Sequence, residues 1–247
     1  MELRVVGSGS SGNAYVLLAR EAALLIECGL PYRDVILPAL DFERRKLQGC
    51  IVSHAHKDHA KSVPNILGDA IHCYMPQDLY EMYDRSRYAH YAEVGKVIKV
   101  GDFAVLPFEC RHDVECNGYV ISHPEMGIAL FATDTGLIPA DLSAFAFSHI
   151  MIEANYGESI MHEKMEQDES LVPHFRHVMR GHLSLEGSIQ YLHTLDLHQC
   201  ETITLIHLSQ ENSNEKEFIA HAQKEFPLVR VQVAHAGDKF NFNKKPY

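Results

Sequence analysis

The segment Ser53-His54-Ala55-His56-Lys57-Asp58-His59 places four nitrogen and oxygen ligands within six residues, directly behind an apolar run at 49–53 that reads as a strand. In extended backbone, side chains at i and i+2 share a face, so His54 and His56 can converge on one ion. Asp58 and His59, at the turn into a following helix, can face a second ion beside it. Imidazole nitrogen and carboxylate oxygen without thiolate suit an open catalytic site for a borderline or hard divalent ion, in contrast to a closed Cys-rich structural one. A solvated loop of surface histidines is the bland alternative, and HxHxDH after a buried strand is too restrictive a pattern to favour it.

The composition sets the limits within which such a site works. Histidine occurs 17 times in 247 residues, and 33 acids against 22 bases give a formal charge of −11. That sign argues against holding nucleic acid on a broad electrostatic surface, so any polyanion must be gripped locally, for instance through metal. With 46% hydrophobic and 22% charged residues the chain is a core-forming one, which excludes disordered, collagenous and coiled-coil classes. No apolar run approaches a membrane span and the first residues lack a signal-peptide pattern, which predicts a cytoplasmic protein without membrane attachment. Six cysteines without a CxxC pair read as buried thiols in a reducing compartment.

Strand patterns are expected at 3–6, 14–19, 22–27, 50–53, 71–74, 97–100, 103–110, 119–122, 128–133, 150–153, 202–208 and 229–234. Helical patterns fall at 31–40, 60–67, 77–83, 159–165, 171–180, 184–195 and 214–226. No linker, repeat or low-complexity tract interrupts them, so residues 1–247 read as one domain. Many strands with helices in both halves fit an α/β fold of four layers, two sheets covered by helices; a doubly wound parallel sheet fits the pattern as well.

HAHKDH at 54–59, together with GSGSSGN at 7–13, resembles the metallo-β-lactamase superfamily over nearly the whole chain. The resemblance implies an αβ/βα sandwich holding two metals at its lip. Carried over by position, His54 and His56 belong to one metal, completed by His112, while Asp58 and His59 belong to the other, completed by His207. Asp134, ending the run Phe131-Ala132-Thr133, would bridge both. The segments Glu153-Ala154-Asn155, Gly181-His182-Leu183-Ser184 and IHLSQENSN at 206–214 look like the phosphodiesterase arm, and most like the small YycJ/WalJ-type hydrolases. They are also similar to the tRNA 3′-processing ribonucleases, and by that likeness His182 would give a proton to the leaving oxygen while Glu153 orients its imidazole. The chain lacks the long tRNA-gripping insertion of those ribonucleases, and an aspartate at 134 departs from the lactamases themselves.

Two divalent ions about 3.5–4 Å apart can share a hydroxide at neutral pH and clamp a phosphate oxygen. The expected activity is therefore binuclear phosphodiester hydrolysis, with Asp58, His182 and Glu153 in catalytic roles. Zn²⁺ is the first choice of ion and Mn²⁺ or Fe²⁺ the alternatives. The glycine-rich loop offers Ser10, Ser11 and Asn13 as substrate-binding groups through backbone N–H and side-chain donors. Nucleic acid is the first expected substrate, with Arg33, Lys57, Lys61, Arg85, Arg87 and Arg111 as local bases. A short or cyclic nucleotide is the second, and a glyoxalase-like thioester or a non-catalytic binding module are further alternatives. The sequence leaves the oligomeric state open.

Overall fold

The computed structural model describes residues 1–41 and 43–244. The chain opens with the antiparallel meander β1 (Glu2–Gly7), β2 (Ala14–Leu18) and β3 (Ala23–Ile26). It then adds β4 (Leu47–Ile51), β5 (Cys73–Met75) and β6 (Ala89–Tyr91) in parallel to β3. A second sheet begins with the antiparallel β7 (Ile98–Val100), β8 (Phe103–Cys110), β9 (Cys116–His123) and β10 (Gly127–Ala132). It finishes with β11 (His149–Glu153), β12 (Thr202–Ile206) and β13 (Arg230–Val233), all parallel to β10. The last strand, β14 (Lys239–Asn241), returns to pair with β1, so each sheet holds seven strands.

The burial pattern explains why two sheets form. Leu3 and Val5 alternate with more exposed residues along β1, the period of a half-buried strand. They meet Tyr15, Leu17, Phe103, Tyr119 and Phe131 in a core between the sheets, where the Tyr15 and Phe131 rings pack edge-on at 5.8 Å. The opposite faces carry Val16, Leu25 and Cys50 on the first sheet and Leu130, Ile150 and Ile203 on the second, each covered by helices. β11 and β12 are buried along their full lengths because both faces are covered. The result is helix, sheet, sheet, helix: the four-layer α/β arrangement expected, and not a single doubly wound sheet.

Differences from the sequence reading are local. The helix expected at 31–40 is a wide turn at Tyr32–Ile36 followed by a short helix at Leu37–Ala39. The helix expected at 60–67 is two pieces, Lys57–Ala60 and Val63–Gly68, separated because Ser62 turns inward: its N–H donates to the Cys28 carbonyl and its hydroxyl to the Leu30 carbonyl. The edge strands β6 and β14, three residues each, carry too little alternation to be recognised from pattern. Among the described residues no helix is long and apolar enough to cross a membrane.

The polarity of the strands places the chemistry. β1, β3 and β4 run in one direction in their sheet, as do β8, β10, β11 and β12 in theirs. All these strands end at the same rim, the position outside the carboxyl ends where open α/β sheets bind ligands.

Away from that rim, His149 on β11 is fully buried, stacked on Phe242 at 4.2 Å and hydrogen-bonded through Nδ1 to the Thr202 hydroxyl at 2.8 Å. Burial pushes its imidazole down to about 4. The unfolded chain, titrating near 6.5, takes up this proton before the folded one, so His149 makes folding stability fall as pH drops from about 6.5 to about 4. His149→Gln should remove up to about 3 kcal/mol of that pH dependence. Denaturant midpoints at pH 7 and 4.5 check it; an unchanged pH dependence would exclude His149 as a contributor.

Candidate metal centre

Each site segment leaves its strand abruptly. Glu27 after β3, Asp134 after β10 and His207 after β12 all have left-handed backbone, with φ of 63°, 46° and 55°. Such conformations cost non-glycine residues of order 1–3 kcal/mol and persist only where the surroundings impose them. Hydrogen bonds do so here. The Glu27 N–H donates to the Ile51 carbonyl, and the His207 N–H to the Ser8 hydroxyl at 2.9 Å. Gly29 packs so closely against the Asp58 turn that a Cβ there would lie 1.7 Å from the Asp58 carbonyl oxygen. The second sheet holds the histidine loop from the other side: the Tyr119 hydroxyl donates to the Val52 carbonyl at 2.6 Å and the Asn117 N–H to the Ser53 carbonyl at 2.9 Å.

The seven residues expected as ligands fall into two groups sharing one carboxylate. His54, His56, His112 and Asp134 each offer a ligand atom within 4.8 Å of the others, and Asp58, His59, Asp134 and His207 do the same. In the first group His54 Nε2 lies 3.0 Å from His56 Nδ1, and His112 Nε2 lies 3.3 Å from that same nitrogen. In the second, His59 Nε2 is 3.3 Å from Asp58 Oδ2. Asp134 Oδ2 faces both groups, 3.4 Å from His59 Nε2 and 3.8 Å from His54 Nε2.

In two of these rings the other nitrogen is bonded, which fixes the ring's orientation. His54 Nδ1 meets the Ser53 hydroxyl at 2.8 Å, and His112 Nδ1 donates to the Gly181 carbonyl at 2.9 Å. Burial, with His59 alongside, holds the His54 imidazole well below its usual range, and burial lowers that of His112, so both are neutral as ligation requires. Burial opposes charge on His59 and Asp134 too, but here the partners win. Asp134 and Glu27 raise His59 well above its usual range, and His207 and His59 hold the Asp134 carboxyl well below its own.

An ion fits this arrangement. His207 Nε2 is buried without a hydrogen-bond partner among the described residues, a costly state for a polar atom unless something else binds it. The donor set, five imidazoles and two carboxylates, suits divalent ions of the zinc, manganese or iron type.

A third group joins this centre. Glu153, at the end of β11, is fully buried; its Oε2 accepts from the Thr135 and Leu183 N–H groups at 3.0 and 3.2 Å. Its Oε1 lies 2.6 Å from His182 Nδ1 and 3.2 Å from His207 Nδ1. Burial opposes both charges of the Glu153–His182 pair, yet each partner stabilises the other: the carboxyl is lowered and the imidazole raised. His182 lines a cleft of about 420 Å³ together with His56, Asp58, His112, Asp134 and His207.

The residues expected to bind substrate separate. Ser10 lines the cleft, Ser11 is exposed and outside it, and Asn13 is fully buried. Asn13 braces the loop, accepting from the Gly9 N–H at 2.8 Å, while its Nδ2 lies 3.0 Å from His59 Nε2.

A family model described as the metallo-beta-lactamase superfamily matches residues 7–139. The chain belongs to this superfamily. Its domain carries a metal-dependent hydrolase, and the histidine–carboxylate groups above are where such a protein would take up divalent metal. Among curated superfamily relatives, an exodeoxyribonuclease WalJ from Streptococcus pneumoniae is 25% identical over 259 residues, covering 98% of this chain and 93% of the relative. Among solved structures, the metallo-beta-lactamase fold protein YhfI from Bacillus subtilis superposes with a TM-score of 0.76 at 15% identity, covering 97% of this chain and 99% of that one. The short form of human tRNase Z superposes with a TM-score of 0.66 at 15% identity, covering 98% and 99%. These superpositions show a shared fold.

Two residues of this superfamily site escaped the sequence reading. Ser8 bonds the His207 N–H and accepts from the Tyr15 hydroxyl at 2.9 Å, tying the glycine-rich loop to the His207 segment. Glu27 is fully buried; its Oε1 accepts from the Ser53 N–H at 3.0 Å and its Oε2 lies 3.3 Å from His59 Nδ1. The signal for Glu27 was present: a carboxylate closing the apolar strand ALLIE, as Asp134 and Glu153 close theirs. Glu27→Gln keeps the shape but loses the charge that orients His59. It should weaken metal affinity about 10–100-fold while leaving circular dichroism intact. Competition with a chromogenic chelator measures this, and wild-type affinity in the variant would remove Glu27 from the centre.

Proposed function

We propose that the chain is a binuclear metal-dependent phosphodiesterase acting on DNA or RNA, with Zn²⁺ as first choice and Mn²⁺ or Fe²⁺ as alternatives. In this reading His54, His56, His112 and Asp134 hold one ion and Asp58, His59, Asp134 and His207 the other. The observation that carries it is the Glu153–His182 pair at 2.6 Å, set beside two ligand groups that share Asp134. The exodeoxyribonuclease named for the streptococcal relative supports nucleic acid as the substrate class. Ligands drawn from both sheets support residues 1–247 acting as one domain.

When bound, paired divalent ions supply an activated water at neutral pH and neutralise charge on the phosphate. The protein residues supply the rest. Glu153, kept ionised by His182 and by two backbone donors, receives the Nδ1 proton of His182 in a hydrogen bond and fixes the ring. This leaves Nε2 to carry a proton to the leaving oxygen. Glu153 Oε1 also reaches His207, so one carboxylate sets the orientation of both the acid and a ligand. Asp58, half-open to the cleft, is held ionised by its contact with His59 despite partial burial. Ser10 is the loop donor available to substrate.

The formal charge of −11 favours a second reading, a short or cyclic nucleotide as substrate. Salt separates the two, since several phosphate contacts make affinity fall steeply with ionic strength and a small substrate does not.

Asp134→Ala should abolish hydrolysis of bis(4-nitrophenyl) phosphate with the circular dichroism spectrum retained; surviving activity would overturn the shared-carboxylate centre. His182→Ala should lose about 10²–10⁴-fold on alkyl phosphodiesters with poor leaving groups and far less on the nitrophenyl ester. An equal loss on both would remove the proton-donor role.

A further inference from the structure

The helix Val172–Gly181 has a cleft-facing side that the chemistry above does not use. It is anchored at its end against the centre: the Gly181 carbonyl accepts from His112, and a Cβ on Gly136 would lie 2.1 Å from the Arg180 carbonyl oxygen. Phe175 is buried with Tyr156 and Met161, holding the helix down from behind. His174, His177 and Val178 consequently line the cleft in company with His182. Residues 170–185 contain no acid, and carry three histidines and two arginines in a protein whose net charge is −11. The loop after His207 forms another wall, where Ser209, Gln210, Glu211 and Asn212 line the same cleft. That wall is braced by Lys164, whose Nζ donates to the Glu211 carbonyl at 2.6 Å and to Asn212 Oδ1 at 2.8 Å.

Position along the helix gives this face a direction. At 1.5 Å per residue, His177 and His174 stand about 6 and about 10.5 Å along the axis from Gly181, the helix's last residue before His182, stepping away from the reaction centre. Neither ring is hydrogen-bonded to another described residue; the one aromatic-ring contact of either among the described residues is His174 against the Phe175 ring at 5.7 Å. Two imidazole N–H groups on one face, one turn apart, therefore meet whatever extends from the leaving oxygen that His182 protonates.

We propose that His177 and His174 form a subsite for the phosphates that flank the scissile one on the leaving-group side, so that a nucleic-acid strand lies between this helix and the loop at 209–212. The proposal rests on the phosphodiesterase reading and adds to it a substrate of more than one phosphate with a defined direction through the cleft.

The test compares His174→Ala/His177→Ala with wild type on tetrathymidylate and on bis(4-nitrophenyl) phosphate, which has no flanking phosphate. The variant's loss in kcat/KM on the tetranucleotide should exceed its loss on the diester about tenfold, carried by KM. Fluorescence anisotropy of labelled tetrathymidylate with the chelator-treated protein should show Kd raised about tenfold, independently of turnover. Equal losses on both substrates, or an unchanged Kd, would overturn the subsite. Wild-type protein that hydrolyses the diester but neither binds nor cleaves tetrathymidylate would overturn the subsite while leaving a small-substrate phosphodiesterase standing. Wild-type protein inactive on both with metal supplied would overturn both readings.

Discussion

The Asp134 carboxylate is the interaction on which the centre depends. It is 3% exposed, and a buried charge is tolerated only when partners compensate it. Oδ1 takes a hydrogen bond from the Thr133 hydroxyl and lies 2.7 Å from His207 Nδ1, while Oδ2 faces His59 and His54. Those histidines come from both sheets. Keeping this one anion compensated therefore requires the two sheets to hold their relative position, which is the work of the Tyr15–Phe131 core and of the Tyr119 and Asn117 bonds to the histidine loop.

The same demand accounts for the irregular backbone. A strand running on in extended form would alternate its side chains between the core and the helices. Left-handed turns at Glu27, Asp134 and His207 instead swing polar side chains out of that alternation and toward the rim. Three of the five left-handed non-glycine residues among the described ones fall here, strain concentrated where side chains must converge. Gly29, with no room for a Cβ, lets the Asp58 turn close down beside them.

A shared superfamily fold leaves the reaction open, because function resides in the site built on the fold. In this chain Glu153 is a central element of that site. It ends a fully buried strand, satisfies two backbone N–H groups, and still has an oxygen within reach of two histidines. A carboxylate so placed links His207 with the cleft-lining His182 through a single buried side chain.

The histidine–aspartate cluster at 54–59 and the apolar strands were legible as pattern, whereas His112, Asp134, Glu153, His182 and His207 stood out only through the resemblance to the metallo-β-lactamase superfamily, since a single turn or strand-end residue carries little signal of its own. Pattern also carried the α/β class, since period-2 and period-3.6 runs report which faces must be buried. The split at Ser62, the edge strands β6 and β14 and the left-handed exits were not legible, being set by hydrogen bonds between segments remote in sequence. Ser8, Ser10, Ser11 and Asn13 look alike in a glycine-rich loop; only packing against His207 and His59 made Ser8 and Asn13 braces and left Ser10 facing the cleft. Side-chain types and order along the chain determined which chemistry this protein can assemble. Distances between groups up to 199 residues apart, such as His207 and Ser8, arise only when two sheets close over a common core.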